Sequence, residues 1–266
     1  VITSYHVHSA HSDGTNSILE IVTAAAEQGI HEIGISDHLV YPVAHRPVPW
    51  SMSLDGLDTY FEELSEARQL VGNKIQVRFG LECDYEPKTA EHLSRVLNSY
   101  PLDYVIGSIH FLEDFPIDES PEHWDKLDEA QRNQIVRRYW RRLKELAESR
   151  LFDIVGHLDL YKKFGWRPSI DLTEEISQAL DAIAKAGLVV EINTSGLRKP
   201  AREIYPSMQI IEMCRMRNIR MVITSDSHET ATLTYGHELA REMLKNFGYE
   251  STVVFSNRKA MVLPSV

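Results

Sequence analysis

Two histidines one residue apart, His6 and His8, are the first residues able to do chemistry. Side chains on a strand alternate with period two, so both imidazoles would share one face. Two neutral imidazoles side by side can hold a divalent metal. Asp13 lies on the next loop, and we read it as a further ligand; His11, its neighbour, could replace or assist it. The pair gains weight from the rest of the chain. His38, Glu82, His110, His157, and Asp226 with His228 each stand at the end of a short apolar stretch. Glu82 is a carboxylate, and a carboxylate can bridge two cations where an imidazole does so poorly. The mixture of imidazole and carboxylate donors suits zinc, iron or manganese.

Those stretches read as strands, and helices separate them. Ile2 to Val7 is the first strand, and Ser17 caps a helix from Ile18 to Gln28 that Gly29 closes. Glu32 to Ser36 leads into His38, and a Pro-rich loop comes next with Pro42, His45, Pro47, Pro49 and Trp50. Leu57 to Val71 and Ala90 to Leu97 are helical on their apolar spacing. Gln76 to Leu81 ends in Glu82, and Tyr104 to Ile109 ends in His110. After an acidic loop, Glu113 to Asp125, a long helix runs from about Asp128 to Ser149, and its arginines read as a solvated face. Phe152 to Gly156 ends in His157. Leu172 to Ala186 is an amphipathic helix closed by Gly187. Leu188 to Ile192 ends in Asn193, Met208 to Arg217 is helical, and Arg220 to Thr224 leads into Asp226 and His228. Leu239 to Phe247 is the last helix, and Thr252 to Phe255 a terminal strand.

Seven strand–helix units in succession imply an α/β fold whose parallel sheet closes into a barrel. In such barrels the chemistry sits at the C-terminal ends of the strands. Six of the seven strands would deliver a metal ligand to that rim, and the strand ending in Asn193 would not. His31, His92, His123 and His237 fall outside the pattern and read as surface residues. His45 reads as a polar loop residue.

The bulk properties narrow the function. With 266 residues and 43% hydrophobic content, the chain is long enough for one sizeable core, and we expect a single domain over 1–266. A net charge of −11 argues against broad nucleic-acid binding, which needs a basic surface. It leaves room for a small anionic substrate, because bound cations supply local positive charge. No apolar run approaches the ~20 residues of a membrane span. Cys83 and Cys214 are far apart and in no C-x-x-C pattern, so we read them as buried and reduced. With no visible signal peptide, a cytoplasmic location is expected. Val1 in place of Met points to leading residues missing or removed. Nothing in the sequence sets an oligomeric state.

The motifs taken together resemble the PHP (polymerase and histidinol phosphatase) superfamily. They are His6-Val7-His8, Ser12-Asp13-Gly14, Ser36-Asp37-His38, the strand-ending Glu82, Gly107-Ser108-Ile109-His110, Gly156-His157 and Ser225-Asp226-Ser227-His228. The stretch Glu191 to Lys199, with Glu203-Ile204-Tyr205-Pro206 behind it, resembles the histidinol-phosphate phosphatases of that superfamily. The resemblance implies a distorted (β/α)7 barrel holding three divalent metals. It implies His6, His8, Glu82 and Asp226 at the first metal, Glu82, His110 and His157 at the second, and Asp13, His38 and His228 at the third. The reaction implied is hydrolysis of a phosphate monoester, L-histidinol phosphate, by a metal-bridging hydroxide.

On that reading Glu82 is catalytic as the bridging carboxylate. Arg198 would contact the phosphate through its planar donor fork. The resemblance places a cationic residue after His157, where this chain has Lys162 and Lys163. Asp159, His228 and Glu203 are candidates to protonate the leaving alkoxide. One acidic-loop residue, Glu113 for instance, would recognise the substrate ammonium. A PHP phosphoesterase for another small phosphomonoester or a nucleotide is the alternative. A degenerate PHP module would lack ligands, and all nine positions are filled here. A metal-dependent amidohydrolase would more naturally carry a lysine at a strand end, and none stands there.

Overall fold

A computed structural model describes residues 1–40 and 48–264. The loop residues Pro42, His45 and Pro47 lie outside the described residues. The strands are β1 (Thr3–Ser4), β2 (Glu32–Ile35), β3 (His38–Leu39), β4 (Gln76–Asp84), β5 (Tyr104–Ser108), β6 (Phe111–Leu112), β7 (Phe115–Pro116), β8 (Ile154–Val155), β9 (Val189–Asn193), β10 (Arg220–Thr224), β11 (Ser251–Ser256) and β12 (Lys259–Pro264). The α-helices are α1 (Ile18–Glu27), α2 (Leu57–Val71), α3 (Ala90–Leu97), α4 (Pro121–Asp125), α5 (Glu129–Ser149), α6 (Thr173–Ala186), α7 (Met208–Met216) and α8 (His237–Asn246).

The main sheet is parallel, in the order β1-β2-β4-β5-β8-β9-β10, with β3 continuing the β2 side against β4. A parallel bridge between Val7 and Ser227 brings the first and last strands of that order together. His8 N–H donates to Ser227 O at 2.8 Å, and Ser227 N–H to His6 O at 3.1 Å. The result is the expected seven-stranded α/β barrel.

The regular part of β1 is shorter than the sequence predicts, and the reason is local. Val7 N–H donates to the Ser36 hydroxyl at 3.2 Å, not to a backbone carbonyl. A side chain thus replaces one rung of the ladder, and the strand continues in direction but not in regular pairing.

Between sheet and helices lies the larger core, built from outward residues such as Val190 and Ile192 of β9. Inside the barrel, chemistry changes with height along each strand. On β9 the low residue is Val189, packed with Tyr104, Ile106, Ile154 and Val222, while Glu191 and Asn193 stand two and four residues higher. The antiparallel β11–β12 hairpin closes the lower end, with Phe255 edge-on to Tyr5 at 5.3 Å. Gly34 and Gly80 make room for Tyr104, because a Cβ on either would lie 2.2–2.3 Å from its ring or hydroxyl.

Helix starts follow their capping chemistry. Ser17 and Glu20 form a capping box on α1, and Asp128 and Gln131 form one on α5. Each cap contributes about 1 kcal/mol. The arginines of α5 are not simply solvated: Arg137 pairs with Glu175 and Arg142 with Glu86. The acidic loop also carries more structure than expected, holding the β6–β7 hairpin and α4.

Candidate metal centre

Glu82 sits at the middle of the site, near the end of β4 and fully buried. Its Oε2 lies 2.9 Å from His6 Nε2, 3.5 Å from His8 Nε2 and 2.9 Å from His38 Nδ1. Its Oε1 lies 2.9 Å from His157 Nε2 and 3.6 Å from His110 Nε2, and accepts from Ser108 Oγ at 2.6 Å. Asp226 Oδ1 approaches His6 Nε2 at 3.6 Å and His8 Nε2 at 3.3 Å. Asp226 has a φ of 50°, a left-handed backbone that costs a non-glycine residue roughly 1–2 kcal/mol. The turn it makes brings its carboxylate to the rim. Asp13 Oδ1 is 3.2 Å from His228 Nε2 and 3.7 Å from His38 Nε2.

All nine expected ligand residues thus converge. Donor atoms of His6, His8 and Asp226 lie within 4.8 Å of one another; so do those of His6, Glu82 and His157, of His38, Glu82 and His110, and of His8, Asp13, His38 and His228. His38 stands between two groups, one ring nitrogen toward Glu82 and the other toward Asp13. His11 turns away, 2.9 Å from Glu63 on α2. Asp13, and not His11, is therefore the loop residue brought to the cluster.

The donor set fits divalent cations on the geometry of the protein alone. Both ring nitrogens of His8, and Nδ1 of His38 and of His157, are buried without a hydrogen-bond partner. Buried nitrogens without partners cost free energy, and a cation beside Glu82 and Asp226 would satisfy His8 Nε2 and His38 Nδ1, the two that face those carboxylates. Burial, together with His38 and His228, lowers the His8 pKa to about 3, so the ring stays neutral and one nitrogen keeps a lone pair available. Burial opposes the charged form of Glu82, but His6, His38 and His110 outweigh it and hold the carboxyl well below its usual range. Burial likewise opposes the charge on His110, and Asp84 and Glu82 overcome it, raising its pKa to about 10. Metal ligation requires neutral imidazoles, so cation binding at His110 would release a proton.

Carboxylates outside the cluster back two of these imidazoles. His110 Nδ1 lies 2.5 Å from Asp84 Oδ1, and His6 Nδ1 lies 2.8 Å from Glu191 Oε2. Neither carboxylate is expected as a site residue, although Glu191 opens the stretch that resembles the histidinol-phosphate phosphatases. A signal for Glu191 is nonetheless present: a charged residue inside an apolar strand, two residues before Asn193 and on the same face. The strand expected to give nothing to the rim supplies a residue one layer deeper.

The cluster opens into a cavity of about 750 Å³. His38, His110, His157, Asp226 and His228 border it, as do Trp50, Asp118 and Glu119. Its cationic lining among the described residues is Lys163, Arg198 and Lys199. Arg198 reaches it as expected, donating to the carbonyls of Ser225 at 2.8 Å and Asp226 at 3.2 Å. Lys163 pairs with Asp118 at 2.8 Å. Lys199, the last residue of the stretch that resembles the histidinol-phosphate phosphatases, has no hydrogen bond or ion pair from its side chain among the described residues.

Four expectations need correction. Lys162 does not line the cavity: its ammonium is buried, 2.9 Å from Asp159 and 3.1 Å from Glu203, and donates to Ile204 O. Asp159 is buried in that same pair and accepts from Ser207 N–H, away from the cavity. Adjacent lysines on a single 3-10 turn point in different directions, so only Lys163 faces the opening. Glu113 is held outside by Arg138 and Arg142, and Asp118 and Glu119 are the acidic-loop residues that border the cavity. His237 is buried at the start of α8 and is not a surface residue.

Comparison with known proteins agrees with this geometry. The PHP domain model matches residues 4–195. A probable histidinol-phosphatase of Deinococcus radiodurans is 34% identical over 258 residues, spanning 96% of each chain. A probable histidinol-phosphatase of Schizosaccharomyces pombe is 28% identical over 269 residues, covering 93% of this chain and 87% of its own. Among solved structures, the histidinol phosphate phosphatase of Lactococcus lactis, complexed with zinc, L-histidinol and phosphate, superposes with a TM-score of 0.83. It is 23% identical, and 98% of each chain is covered.

Proposed function

The chain belongs to the PHP domain family, and on that premise we propose that it is a metal-dependent phosphomonoesterase that hydrolyses L-histidinol phosphate to L-histidinol and phosphate. The observation that carries this reading is the convergence of nine imidazole and carboxylate residues on a cavity bordered by Lys163, Arg198 and Lys199. We assign His6, His8, Glu82 and Asp226 to a first cation, Glu82, His110 and His157 to a second, and Asp13, His38 and His228 to a third. Zinc, iron or manganese suits these donors. Cations held there would supply the acidification of bound water and the charge to neutralise phosphate oxygens.

The chain's own residues do the rest. Arg198 is pre-positioned by two backbone carbonyls and offers its remaining N–H groups to phosphate oxygens. Lys199 adds a further positive charge on the same lining. Of the three side chains considered as proton donors to the leaving alkoxide, His228 alone borders the cavity, because Asp159 and Glu203 are engaged by Lys162. Asp118 and Glu119 supply negative charge for the substrate ammonium, the part expected of Glu113. Trp50, edge-on to His38 at 4.7 Å and to His110 at 5.4 Å, offers an aromatic wall for an imidazole ring.

A panel of phosphomonoesters compared by kcat/KM tests the substrate. Histidinol phosphate should exceed nucleoside monophosphates, sugar phosphates and p-nitrophenyl phosphate by at least about tenfold, roughly the 1.4 kcal/mol that one charge-assisted contact supplies. A nucleotide or sugar phosphate at the head of the panel would move the chain to the alternative phosphoesterase reading.

A further inference from the structure

Glu191 is neither one of the nine ligands nor part of the cavity wall, yet its side chain is fully buried and saturated with donors. Oε2 accepts from His6 Nδ1 at 2.8 Å and from Thr224 Oγ1 at 2.8 Å. Oε1 accepts from His157 N–H at 2.5 Å and from Asn193 Nδ2 at 2.8 Å. A carboxylate has about four lone-pair sites, and all four are used. Glu191 is therefore not itself a ligand. It binds together its own strand, β10, and the chain segments carrying His6 and His157, all at one height in the barrel.

Its bond to His6 has a chemical consequence. With the proton on Nδ1 and directed at Glu191, the lone pair of His6 Nε2 faces Glu82 at 2.9 Å and Asp226 at 3.6 Å. Three acceptors then point at one another, an arrangement that a cation between them resolves. His8 and His157 have no such support, since both nitrogens of His8 and Nδ1 of His157 lack partners. A carboxylate behind a ligating imidazole fixes its tautomer and raises its basicity.

We propose that Glu191 is the positioning residue for the cation at His6, His8 and Asp226, locking His6 as the Nδ1–H tautomer and strengthening Nε2 as a donor. The inference rests on the metal-centre reading above and deepens it.

Two measurements on the whole chain test it, and neither reads turnover. The first is chelator competition for zinc. Glu191→Gln should bind the tightest zinc equivalent about 10–100-fold more weakly than wild type. Glu191→Asp should fall between them, because it keeps the charge but shortens the reach. Equal affinity in Glu191→Gln and wild type overturns the proposal. The second is the 15N spectrum of zinc-loaded wild type with labelled imidazoles, His6 being assigned by loss of its signals in His6→Asn. A protonated Nδ1 and a zinc-bound Nε2 at His6 are expected, and a mixture of tautomers in Glu191→Gln. A protonated Nε2 in wild type overturns the proposal even if the variants fail to fold. A wild-type chain that binds no zinc, iron or manganese would instead overturn the metal-centre reading on which this one stands.

Discussion

Among single residues, the candidate ligands are the most legible part of the molecule. His6, His8, His38, Glu82, His110, His157, Asp226 and His228 each stand where an apolar stretch stops, and a barrel brings such positions to one rim. The residues behind them are not legible, because pairings such as His6 with Glu191 cross 185 positions of sequence. The cationic residues are half legible. Lys162 and Lys163 are indistinguishable in sequence, and only the local turn decides that Lys162 is buried with Asp159 while Lys163 faces the cavity. Burial and the neighbouring Lys163 lower the Lys199 pKa, with Asp226 and Asp118 opposing them, and its exposed ammonium, in no ion pair among the described residues, can meet an anion. Lys199→Ala should raise KM for histidinol phosphate roughly tenfold or more, the loss of one charge-assisted hydrogen bond of about 1.5–3 kcal/mol. Cation content should be unchanged. Initial rates across substrate concentration check this, and an unaltered KM would remove Lys199 from the phosphate contact.

For helices and strands, periodicity and capping locate most helices within a residue or two, since Ser17, Asp128 and Gly187 mark their ends by known chemistry. Where side chains substitute for backbone partners, the pattern misleads, as at Val7 with Ser36. It misleads too at the start of α8. The helix begins at His237 and buries that imidazole, which reads in sequence as a surface residue. Burial, with Arg241 adding to it, lowers the His237 pKa from 6.5 to about 4. The sign is direct. Between pH 6.5 and pH 4 the unfolded chain takes up a proton at His237 that the folded chain refuses. Stability from this group is complete above about pH 6.5 and is lost progressively as pH falls toward 4. The loss is on the order of 3 kcal/mol, at about 1.36 kcal/mol per unit. Urea unfolding of metal-free wild type and His237→Gln at about pH 7 and pH 4.5 measures it. The wild type should lose more stability than the variant on acidification, and parallel losses would show that His237 does not titrate in this window.

For the whole molecule, the β/α alternation suffices for the barrel and for which end carries chemistry. It does not reveal how the barrel is finished. The β11–β12 hairpin closes the lower end, joined by Arg258, which donates to Asp153 and to the carbonyl of Leu151. A terminal strand reads the same in sequence whether it plugs a barrel or lies outside it. The division of labour is then spatial: apolar layers and the hairpin below, ionisable residues above. The cavity lining carries both signs, with Lys163, Arg198 and Lys199 gathered at the same opening as Asp13, Asp118, Glu119, Asp226 and Glu229. Everything proposed for the function rests on the clustered residues holding cations needed for phosphate-ester hydrolysis. The decisive measurement is phosphate release from histidinol phosphate by the protein as purified, after exhaustive chelation, and after restoration of zinc, iron or manganese, with cation content measured at each stage. We predict several cation equivalents per chain approaching three, activity that disappears with them, and recovery on restoration. A chain that hydrolyses histidinol phosphate equally well when stripped, or that takes up cations and releases no phosphate, would contradict that assignment.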